Sequence, residues 1–268
     1  MVTVGGVAAA GPSPEGHGSE AAGQGSLVFG HRGAAGYRPE HTPASYELAI
    51  RLGADAIEPD LVITKDGVLV ARHEPEISAT TDVADHPEFA DRHTTKLLDG
   101  MPATGWFTED FTLADLRTLR AKERIPRIRP RNSRYDGRYQ VPTLQEVIDL
   151  AKRESRRYGG EIGIAPETKH PTYFRQQGKP LAPALVRTLT RNGLIRSDAN
   201  LSVQSFEVGN LIALRSTLRV HLLQLLLLVP ALRWRSSRPE RRRTAAARGR
   251  EVAWGTATVP VWQGSRRT

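Results

Sequence analysis

Short runs of β-forming residues alternate with segments of helical periodicity from residue 27 onward, and this alternation restricts the fold more than any other feature of the chain. Six runs predict strands, at 27–30, 56–63, 68–72, 161–165, 201–204 and 220–226. Helices are predicted between them, at 43–52, 147–152, 183–194 and 207–218. Strands and helices that alternate in this way build βα units around a parallel sheet, so we predict an α/β protein.

Three segments lie outside the alternation. Residues 75–142 are long, polar and irregular, which indicates an insertion after the third strand, with a helix near 113–119. Residues 1–26 are rich in Gly, Ala, Ser and Pro and contain no Lys or Arg, which predicts a flexible leader. Residues 231–268 are dominated by Arg, Ala and Gly without periodicity. We interpret them as an aberrant, disordered tail of the kind that a shifted reading frame of a GC-rich gene would encode.

The net charge of +9 is concentrated in this tail. Residues 231–268 contain ten Arg, no Lys and two Glu, a charge of +8, which leaves +1 for residues 1–230. A nearly neutral body has no electrostatic footprint for nucleic acid, so no nucleic-acid partner is expected. The absence of Cys excludes a disulfide scaffold and thiolate metal ligands. The apolar run at 222–229 is shorter than the about 20 residues that cross a bilayer, so no membrane span is expected.

Polar side chains stand where the predicted strands end. They are His31, Arg32, Glu58, Asp60, His73, Glu167 and Lys169. In a parallel α/β barrel the carboxyl ends of all strands meet on one face, so we expect these side chains to gather there. Glu58 and Asp60 are two residues apart on one strand and project to the same face. Pro59 between them has no N–H to donate, which places the pair at the end of its strand.

This set of side chains predicts phosphate chemistry at a metal site. Close carboxylates require a cation or a proton, and three of them without a Cys suit a hard ion, Ca²⁺ or Mg²⁺, better than zinc. Imidazoles such as those of His31 and His73 transfer protons near neutral pH. The guanidinium of Arg32 could hold a phosphate oxygen. His86, His93 and His170 are predicted to be ordinary surface or loop residues.

A series of short motifs extends from about residue 27 to about residue 226. In order they are His31-Arg32-Gly33, Pro39-Glu40-His41-Thr42, Gly53-Ala54-Asp55, Ile57-Glu58-Pro59-Asp60, Thr64-Lys65-Asp66-Gly67, His73, Pro166-Glu167-Thr168-Lys169 and Gln204-Ser205-Phe206. Together they resemble the glycerophosphodiester phosphodiesterases, and residues 75–142 resemble the insertion of the longer, often exported members. His41 stands where many relatives have Asn, and no catalytic role is predicted for it.

The resemblance implies a TIM-type barrel that hydrolyses a small-molecule glycerophosphodiester to glycerol 3-phosphate and an alcohol. It implies divalent-metal binding by Glu58, Asp60 and Glu167, acid–base catalysis by His31 and His73, phosphate contact by Arg32 and Lys169, and a supporting role for Glu40. The likeness to exported members also implies an extracellular or periplasmic location, or a cytoplasmic one if Met1 is the true start. It predicts no oligomeric state.

The motifs of two further βα units do not follow residue 226. We therefore predict an incomplete TIM (β/α)8-type barrel of about six βα units within residues 27–230, with the insertion after strand three. Unpaired edges in such a barrel predict a product that is unstable or inactive unless another chain completes it. Three alternatives stay open: an inactive remnant that binds a phosphate ligand, a phosphoinositide-type phosphodiesterase, and a basic nucleic-acid-binding module that uses the Arg-rich tail.

Overall fold

The structure, a computed structural model, describes residues 26–226. Its helices and strands are, in chain order, β1 (Phe29–His31), α1 (Pro43–Arg51), β2 (Ala56–Glu58), β3 (Asp60–Ile63), β4 (Leu69–Ala71), β5 (Thr94–Leu98), β6 (Met101–Gly105), α2 (Leu113–Thr118), α3 (Leu144–Tyr158), β7 (Gly163–Ile164), β8 (Glu167–Thr168), α4 (Pro171–Gln176), α5 (Leu181–Arg191), β9 (Ser202–Ser205), α6 (Val208–Arg215) and β10 (His221–Gln224). The predicted leader, apart from Ser26, and the Arg-rich tail lie outside the described residues. Within residues 26–226 no helix is long and apolar enough to span a bilayer.

The fold contains two sheets of mainly parallel strands, which do not close into a barrel within residues 26–226. The strand orders are β1-β2-β7 and β10-β9-β8-β3-β4. Pro59 divides the strand predicted at 56–63 into β2 and β3, and Pro166, just after the strand predicted at 161–165, separates β7 from β8. The ladder nevertheless continues across both interruptions, because Ala165 N–H donates to the Ile57 carbonyl and Glu167 N–H donates to that of Pro59, both at 2.9 Å. The predicted α/β fold with an unclosed barrel is confirmed.

The strand predicted at 68–72 forms, but it is not a parallel barrel strand. β4 pairs antiparallel with β3, with Val62 opposite Val70. The connection between them is a tight turn at residues 64–67, in which Gly67 has φ of +81°. So short a connection can only return the chain beside the strand it left, whereas a parallel neighbour needs a crossover of a dozen or more residues. The expectation of a third parallel unit here is therefore wrong.

The residues between β4 and α3 build a layer of their own beside the sheet. They contain the antiparallel hairpin β5–β6, short 3-10 turns and α2, which is the helix predicted near 113–119. The turn of the hairpin is Asp99-Gly100, and both residues have positive φ, of 50° and 81°. Positive φ at both positions is the requirement of a type I′ turn, which Asp-Gly meets at low cost.

Local sequence signals account for the helices that flank the sheet. The Thr42 side chain accepts a hydrogen bond from the Ser45 N–H and caps α1, and Pro43 opens that helix. A reciprocal capping box between Thr143 and Glu146 begins α3, which runs past the predicted end to Tyr158. Helix α4, which has six residues, was not predicted.

Candidate metal and phosphoester site

The strand register brings the motif residues into one row. His31 on β1 lies opposite Glu58 at the end of β2. Asp60, at the start of β3, lies opposite Glu167 on β8. Glu167 in turn lies opposite Gln204 on β9. Adjacent parallel strands therefore deliver these side chains to the same end of the sheet, as the position of the motifs at strand ends predicts.

Three carboxylates converge in this row. Glu58, Asp60 and Glu167 each place a carboxylate oxygen so that all three atoms lie within 4.8 Å of one another. All three residues are buried, with 5%, 0% and 4% of their surface exposed. The Oδ1 atom of Asp60 is buried and has no hydrogen-bond partner among the described residues. A buried carboxylate oxygen without a donor is costly, and it is the atom that a cation would satisfy.

The same crowding shifts the acidity of the carboxyls. Burial, followed by the charge of Asp60, raises the pKa of Glu58 well above its usual range. Burial and then Asp60 also raise the pKa of Glu167 to about 7, although the Lys169 ammonium opposes them. Like charges that share a dry site hold a proton unless a cation replaces it. The three residues therefore fit a divalent cation, and their all-oxygen donor set suits Ca²⁺ or Mg²⁺.

Two cationic side chains border the carboxylates. Arg32 Nε lies 3.3 Å from Asp60 Oδ2, and Arg32 Nη1 lies 3.4 Å from Glu40 Oε1. Lys169 Nζ lies 2.9 Å from Glu167 Oε1. Glu40 is buried and also pairs with Arg124 of the insertion at 3.1 Å. Glu40 thus fixes the Arg32 guanidinium from the side away from the carboxylates.

The two histidines of the motifs stand at the margin of the row. His31 ends β1 and is exposed, and partial burial of its ring together with the neighbouring Arg32 lowers its pKa. His73 follows β4, which returns it to the level of Asp60, because the Arg72 N–H donates to the Asp60 carbonyl at 2.9 Å. Within residues 26–226 neither imidazole hydrogen-bonds to the three carboxylates, although His73 Nδ1 lies 2.7 Å from Glu74 Oε1 and its Nε2 lies 3.4 Å from Lys169 Nζ.

Glycine is required where the chain turns from β1 toward α1. Gly33 has φ of +80°, and a Cβ there would lie 2.5 Å from the Ser45 Oγ. The turn brings Arg32 back so that its backbone N–H donates to the Glu58 Oε2 at 2.9 Å. The Gly after His31-Arg32 therefore sets the direction in which both side chains leave the strand.

His41 contacts the site although the sequence indicates no role for it. Its Nε2 lies 2.9 Å from Asp60 Oδ2, and its Nδ1 lies 2.8 Å from the Tyr46 hydroxyl. The ring is fully buried, and burial lowers its pKa well below the usual range. A neutral imidazole that donates through Nε2 orients the Asp60 carboxylate. The signal available in the sequence was its place between Glu40 and the helix cap at Thr42.

His170 is not the ordinary loop histidine that the sequence predicts. Its Nε2 lies 2.9 Å from Glu74 Oε2 and its Nδ1 lies 2.6 Å from Asp99 Oδ2. Glu74 in turn binds His73, whose Nδ1 lies 2.7 Å from Glu74 Oε1. The adjacency of Glu74 to His73 was visible in the sequence. The contact with Asp99 was not, because it depends on how the insertion folds.

Comparisons with known proteins agree with this geometry. The sequence model of the "Glycerophosphoryl diester phosphodiesterase family" matches residues 31–258. Glycerophosphodiester phosphodiesterase GDPD6 of Arabidopsis thaliana is 44% identical over 168 residues, which are 61% of this chain and 43% of the relative. The glycerophosphodiester phosphodiesterase of Haemophilus influenzae is 30% identical over 200 residues, 72% of this chain and 52% of the relative. The chain thus spans about half the length of these relatives.

A solved structure shares the fold. It is an Oleispira antarctica phosphodiesterase in complex with the product sn-glycerol-3-phosphate, with a TM-score of 0.52 at 22% identity over 74% of this chain and 64% of that one. The family match covers most of the sequence and includes every motif described above. The chain therefore belongs to the glycerophosphoryl diester phosphodiesterase family.

Proposed function

We propose that this chain binds a divalent cation and hydrolyses glycerophosphodiesters to glycerol 3-phosphate and an alcohol. The observation that carries the proposal is the buried group Glu58, Asp60 and Glu167, with the unpartnered Asp60 Oδ1 and two histidines at its margin. Relatives named for this activity and a fold neighbour that holds sn-glycerol-3-phosphate support the choice of substrate.

The cation would be held by these three carboxylates. Oxygen ligands without sulfur or a histidine in the cluster favour Ca²⁺ or Mg²⁺. When bound, such an ion supplies positive charge that stabilises the negative charge developing on phosphate oxygens. Arg32 and Lys169 lie next to the carboxylates and add their positive charges to that of the ion. Both side chains would contact the phosphate of the substrate.

His31 and His73 would transfer the protons. One imidazole removes the proton of the glycerol hydroxyl next to the phosphoester, and this oxygen attacks phosphorus. The other imidazole protonates the oxygen of the departing alcohol, so the P–O bond to that alcohol breaks as the new P–O bond forms. Water then opens the resulting cyclic phosphate and yields glycerol 3-phosphate. Positioned acid–base groups of this kind contribute about 10² to 10⁴ in rate.

One structural feature favours a second candidate, an inactive protein that keeps the metal and the phosphate ligand. Within the described part of the chain, β1 and β10 are each paired on one side only. A strand edge without a neighbour is held less firmly than an inner strand. Since His31 belongs to β1, such an edge could leave the metal site intact and the acid–base pair misplaced.

The test is hydrolysis of sn-glycero-3-phosphocholine with Mg²⁺, with Ca²⁺ and with EDTA, measured as released glycerol 3-phosphate. We expect metal-dependent turnover, lost in His31→Ala and His73→Ala while calorimetric metal binding persists, and we expect Glu58→Gln to lose metal binding. His86→Ala, in the insertion, serves as the matched control. Metal binding without turnover would identify the inactive alternative, and turnover in EDTA would refute the proposal. Glycerophosphoinositol and phosphatidylinositol in the same assay separate the phosphoinositide-type activity.

A further inference from the structure

A line of ion pairs leads from the tip of the β5–β6 hairpin to His73. Asp99 in the hairpin turn binds His170, His170 binds Glu74, and Glu74 binds His73, with donor–acceptor distances of 2.6, 2.9 and 2.7 Å. We call Glu74, His170 and Asp99 the His73 tether. None of the three belongs to the carboxylate cluster or to the cations that border it.

We propose that the His73 tether holds the His73 imidazole in one tautomer and one orientation, with Glu74 and His170 as positioning residues and Asp99 as the anchor on the insertion. The inference rests on the proposed function, because it assigns to the insertion a part in aligning an acid–base group.

The contact with Lys169 determines the tautomer of the His73 imidazole. Lys169 Nζ lies 3.4 Å from His73 Nε2, and an ammonium group can only donate. With Lys169 as the donor, Nε2 is the acceptor and the ring proton lies on Nδ1, where it donates to the Glu74 carboxylate. A histidine whose second nitrogen is fixed by a carboxylate has a defined ring orientation, which is the arrangement that nucleophile–base pairs use.

The Glu74 carboxylate is held in its charged form by its two histidine partners. Burial alone would raise the pKa of this carboxyl, but hydrogen bonds from His170 and His73 outweigh it and hold the pKa well below its usual range. For His170 burial alone would lower the pKa. The hydrogen bonds and charges of Glu74 and then of Asp99 outweigh burial, so the pKa of His170 lies above its usual range. Glu74 is thus an ionised acceptor that two imidazoles share, and a charge-assisted bond orients a ring more firmly than a neutral one.

The backbone at His170 adopts a conformation that is unusual for a residue with a side chain. This residue has φ of 44° and ψ of 48°, in the left-handed region, and it directly precedes Pro171. A side chain with a Cβ is strained in that conformation, and a following proline disfavours it further. Gly or Asn would fit the backbone better. The imidazole therefore has to bring a compensating interaction, and its two carboxylate partners are that interaction.

Apolar packing at the tip of the hairpin is limited among the described residues. Leu97 and Met101 are 67% and 70% exposed, whereas Leu98, directly before the turn, packs partly against the core. The side chain of Asp99 is itself 57% exposed, and solvent weakens its pairing with His170. The influence of the tether on His73 should accordingly decrease outward, from Glu74 to His170 to Asp99.

The kinetic test compares Glu74→Gln, His170→Asn and Asp99→Asn in the full-length protein. We expect kcat to fall about 10- to 100-fold for Glu74→Gln, several-fold less for His170→Asn and about twofold for Asp99→Asn, with KM and calorimetric Mg²⁺ affinity unchanged. Glu74→Asp should recover part of the loss. The double variant Glu74→Gln/His170→Asn should be no slower than Glu74→Gln, because both act through one ring.

His86→Asn is the matched control for these variants. His86 also bridges two carboxylates, those of Glu88 at 2.9 Å and Asp82 at 3.5 Å, but these pairs do not lead to His73. Its kcat should stay at the wild-type value. Wild-type kcat in both Glu74→Gln and His170→Asn would overturn the proposal while leaving the proposed function intact. A fall in Mg²⁺ affinity or melting temperature that parallels kcat would also overturn it, since that is general disruption.

Ring-nitrogen NMR tests the tether without turnover. Long-range ¹H–¹⁵N correlations should show the His73 proton on Nδ1 in the wild type and a mixture of tautomers in Glu74→Gln and, to a smaller extent, in His170→Asn. This result in a chain that does not hydrolyse the substrate would support the tether and count against the proposed function. A His73 ring that gives the same mixed spectrum in the wild type and in Glu74→Gln would overturn the tether.

Discussion

Replacing Glu167 by Gln should stabilise the metal-free protein above about pH 7 while abolishing its affinity for Mg²⁺ or Ca²⁺. Gln has nearly the shape of a protonated Glu, so the variant is fixed in the form that the metal-free site prefers. Burial and the neighbouring Asp60 raise the pKa of Glu167 from 4.5 to about 7. Between these values the folded protein binds more protons than the unfolded chain, so the free energy of unfolding falls as pH rises.

The size of this effect follows from the shift. The pKa of Glu167 differs by about 2.5 pH units between the folded and the unfolded chain, and each unit corresponds to ~1.4 kcal/mol. The free energy of unfolding therefore falls by about 3 kcal/mol as pH rises from 4.5 to 7, and it stays at the lower value above pH 7. Glu167 is 4% exposed, so little of this is screened by solvent. Glu167→Gln should escape the loss, and added metal should restore stability to the wild type alone.

Urea unfolding at pH 5 and pH 8, with EDTA and with saturating Mg²⁺, measures both effects. In EDTA the wild type should lose roughly 3 kcal/mol relative to Glu167→Gln between the two pH values. The exposed Glu161, changed to Gln, is the control and should follow the wild type. If the wild type and Glu167→Gln keep the same difference at both pH values, burial and the charge of Asp60 do not raise the pKa of Glu167.

Three further substitutions test other contacts of the site. His41→Phe should remove the donor to Asp60 and lower Mg²⁺ affinity about 10- to 100-fold in calorimetry, with wild-type affinity counting against an orienting role. Gly33→Ala places a Cβ against Ser45 at φ of +80° and should cost at least about 1–3 kcal/mol in urea unfolding, more than Gly36→Ala, which has open space. Arg32→Lys keeps the charge but not the planar fork, so kcat/KM should fall about tenfold or more, and an unchanged value would exclude phosphate contact through the guanidinium.

The sequence predicts that the three carboxylates converge, but not the direction of β4. Glu58, Asp60 and Glu167 were predicted as one cluster because the sequence places them at the ends of predicted strands, and parallel strands bring such positions together. In the structure Glu58 ends β2, whereas Asp60 begins β3 and Glu167 begins β8. The direction of β4 was missed, although the turn at 64–67 is too short for any crossover. In that case the alternation of strands and helices outweighed a local signal that was more specific.

Contacts that depend on the fold of the insertion could not be predicted. Asp99 and His170 are 71 positions apart, and no periodicity or motif relates them. Both are polar residues in turns, where solvated side chains are the usual outcome. Only the positive φ of His170 marks it as unusual, and a backbone angle is not visible in a sequence.

The position of His31 on β1 determines the order in which the protein loses its functions when it is heated or exposed to denaturant. Within residues 26–226 this three-residue strand has β2 as its sole neighbour, whereas Glu58 and Glu167 stand on strands with a neighbour on each side. Fraying begins at such margins and needs far less free energy than global unfolding. The His31 imidazole would thus lose its position while the carboxylates of Glu58, Asp60 and Glu167 still bind the cation. Heated protein should therefore lose turnover before it loses its metal.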